Sequence, residues 1–142
     1  MTAVDIAAKL IRQFEGCCLT PYEDVAGQWT VGVGHLIPPD QPIQDITQEE
    51  AESLFFFDLN LANDCVSGCV TVPLTDNQRA ALISFSFNLG CGSLKKSTLL
   101  KKLNAGDTVG ACQEFTRWSY AGGRQVNGLL RRRTAEAALF AR

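Results

Sequence analysis

Two carboxylates, one hydroxyl and the chain's only imidazole fall between residues 15 and 35: Glu15, Asp24, Thr30 and His35. A carboxyl pair can divide the work of acid and base when its members sit in different surroundings. The protonated member gives its proton to a leaving oxygen, and the ionised member activates water or attacks the carbon centre. Cleavage of a glycosidic bond needs such a pair. The same residue types also serve plain structural roles, since Glu is common at helix ends and Asp in turns. A lone histidine is usually solvated or a satisfied packing residue rather than a catalyst.

The elements that must position these groups are legible from spacing. Ile6, Leu10, Ile11 and Phe14 recur at helical intervals, predicting a first helix from about Ala3 to Phe14 with Thr2 as its cap. Glu15 closes that pattern and Gly16 stops it. Ala26-Gly27 reads as a turn, and the alternating run Trp29 to Gly34 as a short strand. One acid thus stands at a helix end and the other in a hairpin, a way to face two carboxyls across a cleft. Pro38, Pro39 and Pro42 then force an irregular loop.

Thr47 to Glu50 spells a capping box that opens a helix through Leu54, Phe55, Leu61, Ala62 and Cys65. Phe55-Phe56-Phe57 predicts that this helix is covered on more than one side. A second capping box, Thr75 to Gln78, precedes Ala80–Leu89, which is apolar nearly all round and so reads as a buried central helix. One or two short basic helices follow over Ser93–Asn104, and another helix is expected over Thr108–Tyr120. After a loop at Ala121–Gly123, Asn127 is expected to cap a last helix through Leu139.

At 142 residues and 46% apolar composition the chain can bury a real core. Its net charge of −2 hides an asymmetry: residues 1–94 carry 3 basic and 12 acidic side chains, residues 95–142 carry 10 and 3. A basic C-terminal face would suit an anionic polymer, although a solvated helix face accounts for it too. The basic residues lack interleaved aromatics, so nucleic acid is not the expected partner. Asp5, Lys9 and Arg12 interrupt the first apolar stretch, so it is no signal peptide, and no run approaches a membrane span. Six cysteines allow 15 pairings. With no paired C-x2-C and one histidine, zinc is a poor alternative, and no metal site is expected. Cys65 and Cys69, at i and i+4, are ill placed to bond each other.

The ordered motif E-G-x2-L-x2-Y-x-D-x2-G-x2-T-x-G-x-G-H, from Glu15 to His35, resembles the phage-type lysozymes, the endolysins of tailed phages. FNLG at 87–90, STLLKKLN at 97–104 and RW-x2-AGGRQVNGLLRRR at 117–133 resemble the lambdoid members, so the resemblance spans essentially the full chain. It implies an α+β, lysozyme-like fold, mainly helical, in one lysozyme domain. A small antiparallel sheet lobe (about 15–57) and a helical lobe (about 70–142, plus helix one) would flank a cleft, joined by a helix at about 48–69.

The resemblance further implies hydrolysis of the β-1,4 bond between N-acetylmuramic acid and N-acetylglucosamine in peptidoglycan, without cofactor or metal and with inversion. Glu15 would be the acid, and Asp24 and Thr30 would place the water. Arg131, in GLLRRR, would close the cleft beside Glu15, with Arg132 or Arg133 as other matches. His35 would pair with Asp58, eleven residues past the Thr47 cap, lowering the pKa of Asp58. Such proteins act as monomers, wait in the host cytoplasm and reach the wall through a holin or another route. Their cysteines can stabilise the exported protein or silence the site. For Cys17 and Cys18, near Glu15, buried or stabilising thiols are the preferred reading and regulation the other. A lytic transglycosylase, which needs no Asp24 or Thr30, and a non-catalytic wall-binding module are the competing classes.

Overall fold

Three helices begin at capping boxes spelled out by their threonines. In the computed structural model, which describes residues 1–24 and 26–142, these are α1 (Ala3–Glu15), α2 (Gln48–Cys69) and α3 (Asp76–Leu89). Thr2, Thr47 and Thr75 each take a backbone N–H from Asp5, Glu50 and Gln78, whose side chains reach back to the threonine N–H. Each box satisfies two otherwise orphan donors and contributes about 1 kcal/mol.

α3 is the centre. From Ala80 to Ser86 every residue is buried, because α1, α2, α4 (Cys91–Lys96) and α7 (Asn127–Phe140) pack around it. The all-round apolar pattern therefore meets neighbours on all sides. The Phe85 ring meets Phe115 and Trp118 edge-on at 5.7 and 5.4 Å, tying α3 to the C-terminal segments.

A three-stranded antiparallel sheet stands beside this bundle, in the order β1 (Cys18–Glu23), β2 (Trp29–Gly32), β3 (His35–Leu36). Thr30 lies opposite Tyr22 on one side and Leu36 on the other. The β1–β2 register shifts between Cys18 and Tyr22, around Pro21, which cannot donate to a ladder. Arg12 grips Glu52 with two hydrogen bonds of 2.9 and 2.6 Å and lies over the Phe55 ring, so the end of α1 is fixed to α2.

Several expectations need correction. Only one face of α2 is covered: Phe55, Leu59, Ala62 and Val66 are buried at helical spacing, while Phe56 and Phe57 are 42% and 59% exposed. The helix expected through Tyr120 ends earlier. α6 (Thr108–Glu114) tightens into a 3₁₀ turn at Phe115–Trp118, and a hairpin follows, β4 (Tyr120–Ala121) and β5 (Arg124–Gln125), turned by Gly122-Gly123. Asn127 is the first residue of α7 rather than its cap, and Val126 precedes it with no side-chain bond. Two short helices, α4 and α5 (Thr98–Asn104), carry the basic segment.

Among the cysteines, Cys65 bonds Cys91, stapling α2 to α4. Cys17 and Cys18 are free and exposed, contrary to the preferred reading, because they lie on the chain leaving α1 and on the sheet edge. No described helix is long and apolar enough to cross a membrane.

Candidate active site

Glu15 is the last residue of α1 because Gly16 turns the chain at φ 65°, returning its N–H to the Arg12 carbonyl at 3.2 Å. The Glu15 side chain then points across to the sheet. Asp24 sits where β1 leaves the sheet, and its Oδ1 accepts the N–H groups of Ala26 and Gln28 at 2.9 Å each. That turn holds the carboxylate in one orientation. Thr30 is buried on β2, with its hydroxyl 3.4 Å from the Gln28 carbonyl. Glu15, Asp24 and Thr30 line one cavity of about 270 Å³, closed by Tyr22, Gln28, Gly34 and Leu36 from the sheet side and by Phe87 and Asn88 of α3. The three residues singled out by type and spacing thus share one hollow. A roomier depression of about 500 Å³ lies behind the sheet against the start of α2 and includes neither Glu15 nor Asp24.

The Glu15 carboxylate is met by charge from α7. Arg132, 4% exposed, donates from Nη1 to Glu15 Oε2 at 2.9 Å. Arg131 was expected in that place, and it is exposed instead. Successive helical residues point about 100° apart, so one of three adjacent arginines can face α1 and its neighbour cannot. Arg133 is fully buried and donates to the side-chain oxygen of Asn88, on the cavity wall. Both arginines lie close to Glu136, also fully buried. Burial pushes the Glu136 carboxyl up, with Arg133, Arg132 and Ser84 acting against it. The Tyr22 phenol is pushed up by burial and then by the negative charges of Glu15, Cys18 and Asp24.

His35 Nδ1 lies 2.8 Å from Asp58 Oδ2, joining β3 to α2. The expected depression of Asp58 does not hold: burial raises its pKa by more than the histidine lowers it. A carboxylate taken out of water costs more than one partner returns. Among the described residues, no group of three or more His, Cys, Asp or Glu side chains is placed to hold a metal ion.

Glu136, Ser84, Asn88 and Gly34 were not singled out from sequence. For Glu136 a signal was present, since it stands four residues after Arg132 and three after Arg133, the spacings at which helical charges meet. Gly34 stands in the Glu15-to-His35 motif and Asn88 in FNLG, though neither was given a role there, and for Ser84 only the fold brings it to Arg132 and Glu136.

A hollow lined by two carboxyls and a hydroxyl, one carboxyl held by an arginine, is compatible with glycoside hydrolysis, and known proteins give it a context. The phage lysozyme family model matches residues 12–136. The endolysin of Acyrthosiphon pisum secondary endosymbiont phage 1 is 44% identical over 136 residues, taking in 92% of each chain. The endolysin of Bacillus phage B103 is 41% identical over 133 residues; the match takes in 92% of this chain and about half, 51%, of that relative. A solved structure of a P22 lysozyme mutant superposes with a TM-score of 0.82 at 33% identity, covering 100% of this chain and 99% of the other. With the Glu15-to-His35 motif folded around one cavity and the match running almost end to end, the chain belongs to the phage lysozyme family.

Proposed function

We propose that the protein hydrolyses the β-1,4 bond between N-acetylmuramic acid and N-acetylglucosamine in bacterial peptidoglycan, as an endolysin in host cell lysis. The observation that carries this reading is the meeting of Glu15, Asp24 and Thr30 around one cavity. In it, the Glu15 carboxylic acid protonates the glycosidic oxygen. Asp24 acts as base toward the attacking water, or steadies the oxocarbenium-like sugar, and the Thr30 hydroxyl holds that water. Attack by water from the face opposite the leaving group inverts the anomeric centre. No metal or cofactor takes part. His35 and Asp58 stay outside the chemistry and brace β3 against α2.

On the same reading a sheet lobe of about 15–57 and a helical lobe of about 70–142, with α1, close on the glycan around α2. The enzyme works as a monomer. It is held in the host cytoplasm until a holin or another route admits it to the wall.

Digestion of purified wall tests the proposal directly. Reducing muramic ends, formed first as the inverted anomer, are the expected product. Anhydro ends would make the protein a transglycosylase, and no product a wall binder. A retained anomer would make Asp24 a nucleophile.

A further inference from the structure

Glu136 is a buried carboxylate that the reaction above does not use. It is 0% exposed on α7, and its two oxygens face different arginines. Arg132 Nε lies 3.4 Å from Oε2, and Arg133 Nε 3.1 Å from Oε1. Ser84 of α3 donates its hydroxyl to Oε2 at 2.5 Å. Arg132 then turns its remaining nitrogens outward. Nη2 faces the Ser84 carbonyl and hydroxyl at 3.4 Å each, and Nη1 donates to Glu15 at 2.9 Å. Arg133 runs in parallel, from Glu136 to Asn88. One buried carboxylate therefore hydrogen-bonds Arg132 and stands as counter-charge beside Arg133, whose Nε makes no hydrogen bond to it, and each arginine ends on a residue that lines the cavity.

The arrangement answers a problem set by the acid itself. Glu15 must exist as the neutral acid before it gives its proton and as the carboxylate after. An arginine held by Glu15 alone would lose its counter-charge in the neutral state, and a buried guanidinium without one is costly. A second carboxylate that does not take part in turnover keeps the guanidinium in place through both states. We infer that Glu136 is a positioning residue: through Arg132 it holds the Glu15 carboxyl in one orientation, with Ser84 fixing Glu136 in turn. The inference rests on the reading of Glu15 as the acid. The charged and titratable groups concerned are few. Glu15 is faced by Arg132 and, further off, Arg133 from α7, and by Tyr22 and Asp24 across the cavity they share; Glu136 is faced by Arg132, Arg133 and Ser84.

Glu136→Gln in the full chain tests it, because the amide keeps the shape and removes the charge. With a soluble wall glycan, kcat should fall about 10-fold, as small misplacements of a reacting group do, while KM stays within about twofold. The alkaline limb of the pH–activity profile should move toward acid, since an Arg132 charge no longer shared favours the ionised Glu15 that cannot donate. Glu136→Asp, which keeps the charge, should return that limb to its wild-type position. A folded Glu136→Gln protein with wild-type kcat and pH profile overturns the inference. So does a loss carried by KM with the limb unmoved, the mark of a merely structural role. Should Glu136→Gln fail to fold, Ser84→Ala keeps both charges and removes only the hydroxyl. A reduced kcat with unchanged KM is then expected, and wild-type kcat overturns the inference. Activity surviving in Glu15→Gln would instead end the assignment of the acid, a separate failure.

Discussion

Gly34 lies against the carboxyl of Glu15 so closely that a β-carbon there would stand 3.0 Å from Cδ and 3.1 and 3.2 Å from the two oxygens. Its φ of +67° is the left-handed conformation, which other residues adopt at a cost of about 1–2 kcal/mol. Two separate demands thus fall on the same glycine: a turn between β2 and β3, and an open face for the acid. Gly34→Ala is expected to fold with a modest loss of stability and to lose activity by about 10-fold, because the Glu15 carboxyl must give way by a fraction of the ~1 Å displacement that can cost about 100-fold. Thermal melts and turnover measured on the same preparation separate the two effects. Wild-type turnover in Gly34→Ala would mean that the carboxyl has room to move.

Glu15→Gln removes the only proton that the proposed acid can give. Activity should fall about 100-fold or more, with an unchanged circular dichroism spectrum. Near wild-type lysis of permeabilised Gram-negative cells by the folded variant would remove Glu15 from the chemistry.

The cleft was readable in outline because its parts are local. A helix stop after Glu15, a turn before Thr30 and three capping threonines all act within a few residues of chain. What could not be read depends on neighbours distant in sequence. Which of Cys65 and Cys69 finds a partner is decided by where α4 passes α2. Whether Phe56 and Phe57 are covered depends on how many faces of α2 meet other elements. The hairpin at Tyr120–Gln125 is an intermediate case, since Gly122-Gly123 between short runs is a turn signal that the helical pattern of the preceding residues outweighed.

Asp58 shows the same limit in its electrostatics. The His35 partner was what the family resemblance implied, yet the sign of the shift could not be had the same way, because burial is invisible in sequence. The folded pKa lies above the ordinary 3.8, with burial the larger cause and His35 opposing it. A carboxyl raised on folding adds stability that is fully present below its unfolded pKa and lost as pH rises through its folded one. Unfolding free energies of wild type and Asp58→Asn, compared from about pH 3 to 6, should therefore shift against the wild type as pH rises. A shift in its favour would mean that the ion pair outweighs burial. Across this range His35→Asn should keep substantial lysis, as no proposed step uses the imidazole.

The Cys65–Cys91 bond closes a loop with a sequence separation of 26, and chain-entropy arguments give it roughly 3.5 kcal/mol. Reduction should lower the melting temperature by about 10 °C. Activity below that transition should persist, because neither sulfur lines the cavity that holds Glu15. Loss of turnover on reduction, with the protein still folded, would show that the staple reaches the chemistry through Phe87, which lies on both the cavity that holds Glu15 and the hollow beside Cys91.

The two neighbouring arginines should behave as differently as their surroundings. Arg131 is exposed and makes no ion pair among the described residues, so Arg131→Ala should change stability by no more than about 0.5 kcal/mol. Arg132 is buried between Glu15 and Glu136, so Arg132→Met leaves Glu15 without its cation and Glu136 with Arg133 alone. Breaking a buried pair from one side costs about 3–5 kcal/mol. The cost should shrink as pH falls and the abandoned carboxylates take up protons, because the neutral acids need no counter-charge. Chemical denaturation of both variants at neutral and acid pH reads this out. Equal effects of the two substitutions, or a cost for Arg132→Met that does not change with pH, would show that the guanidinium acts by packing rather than by charge.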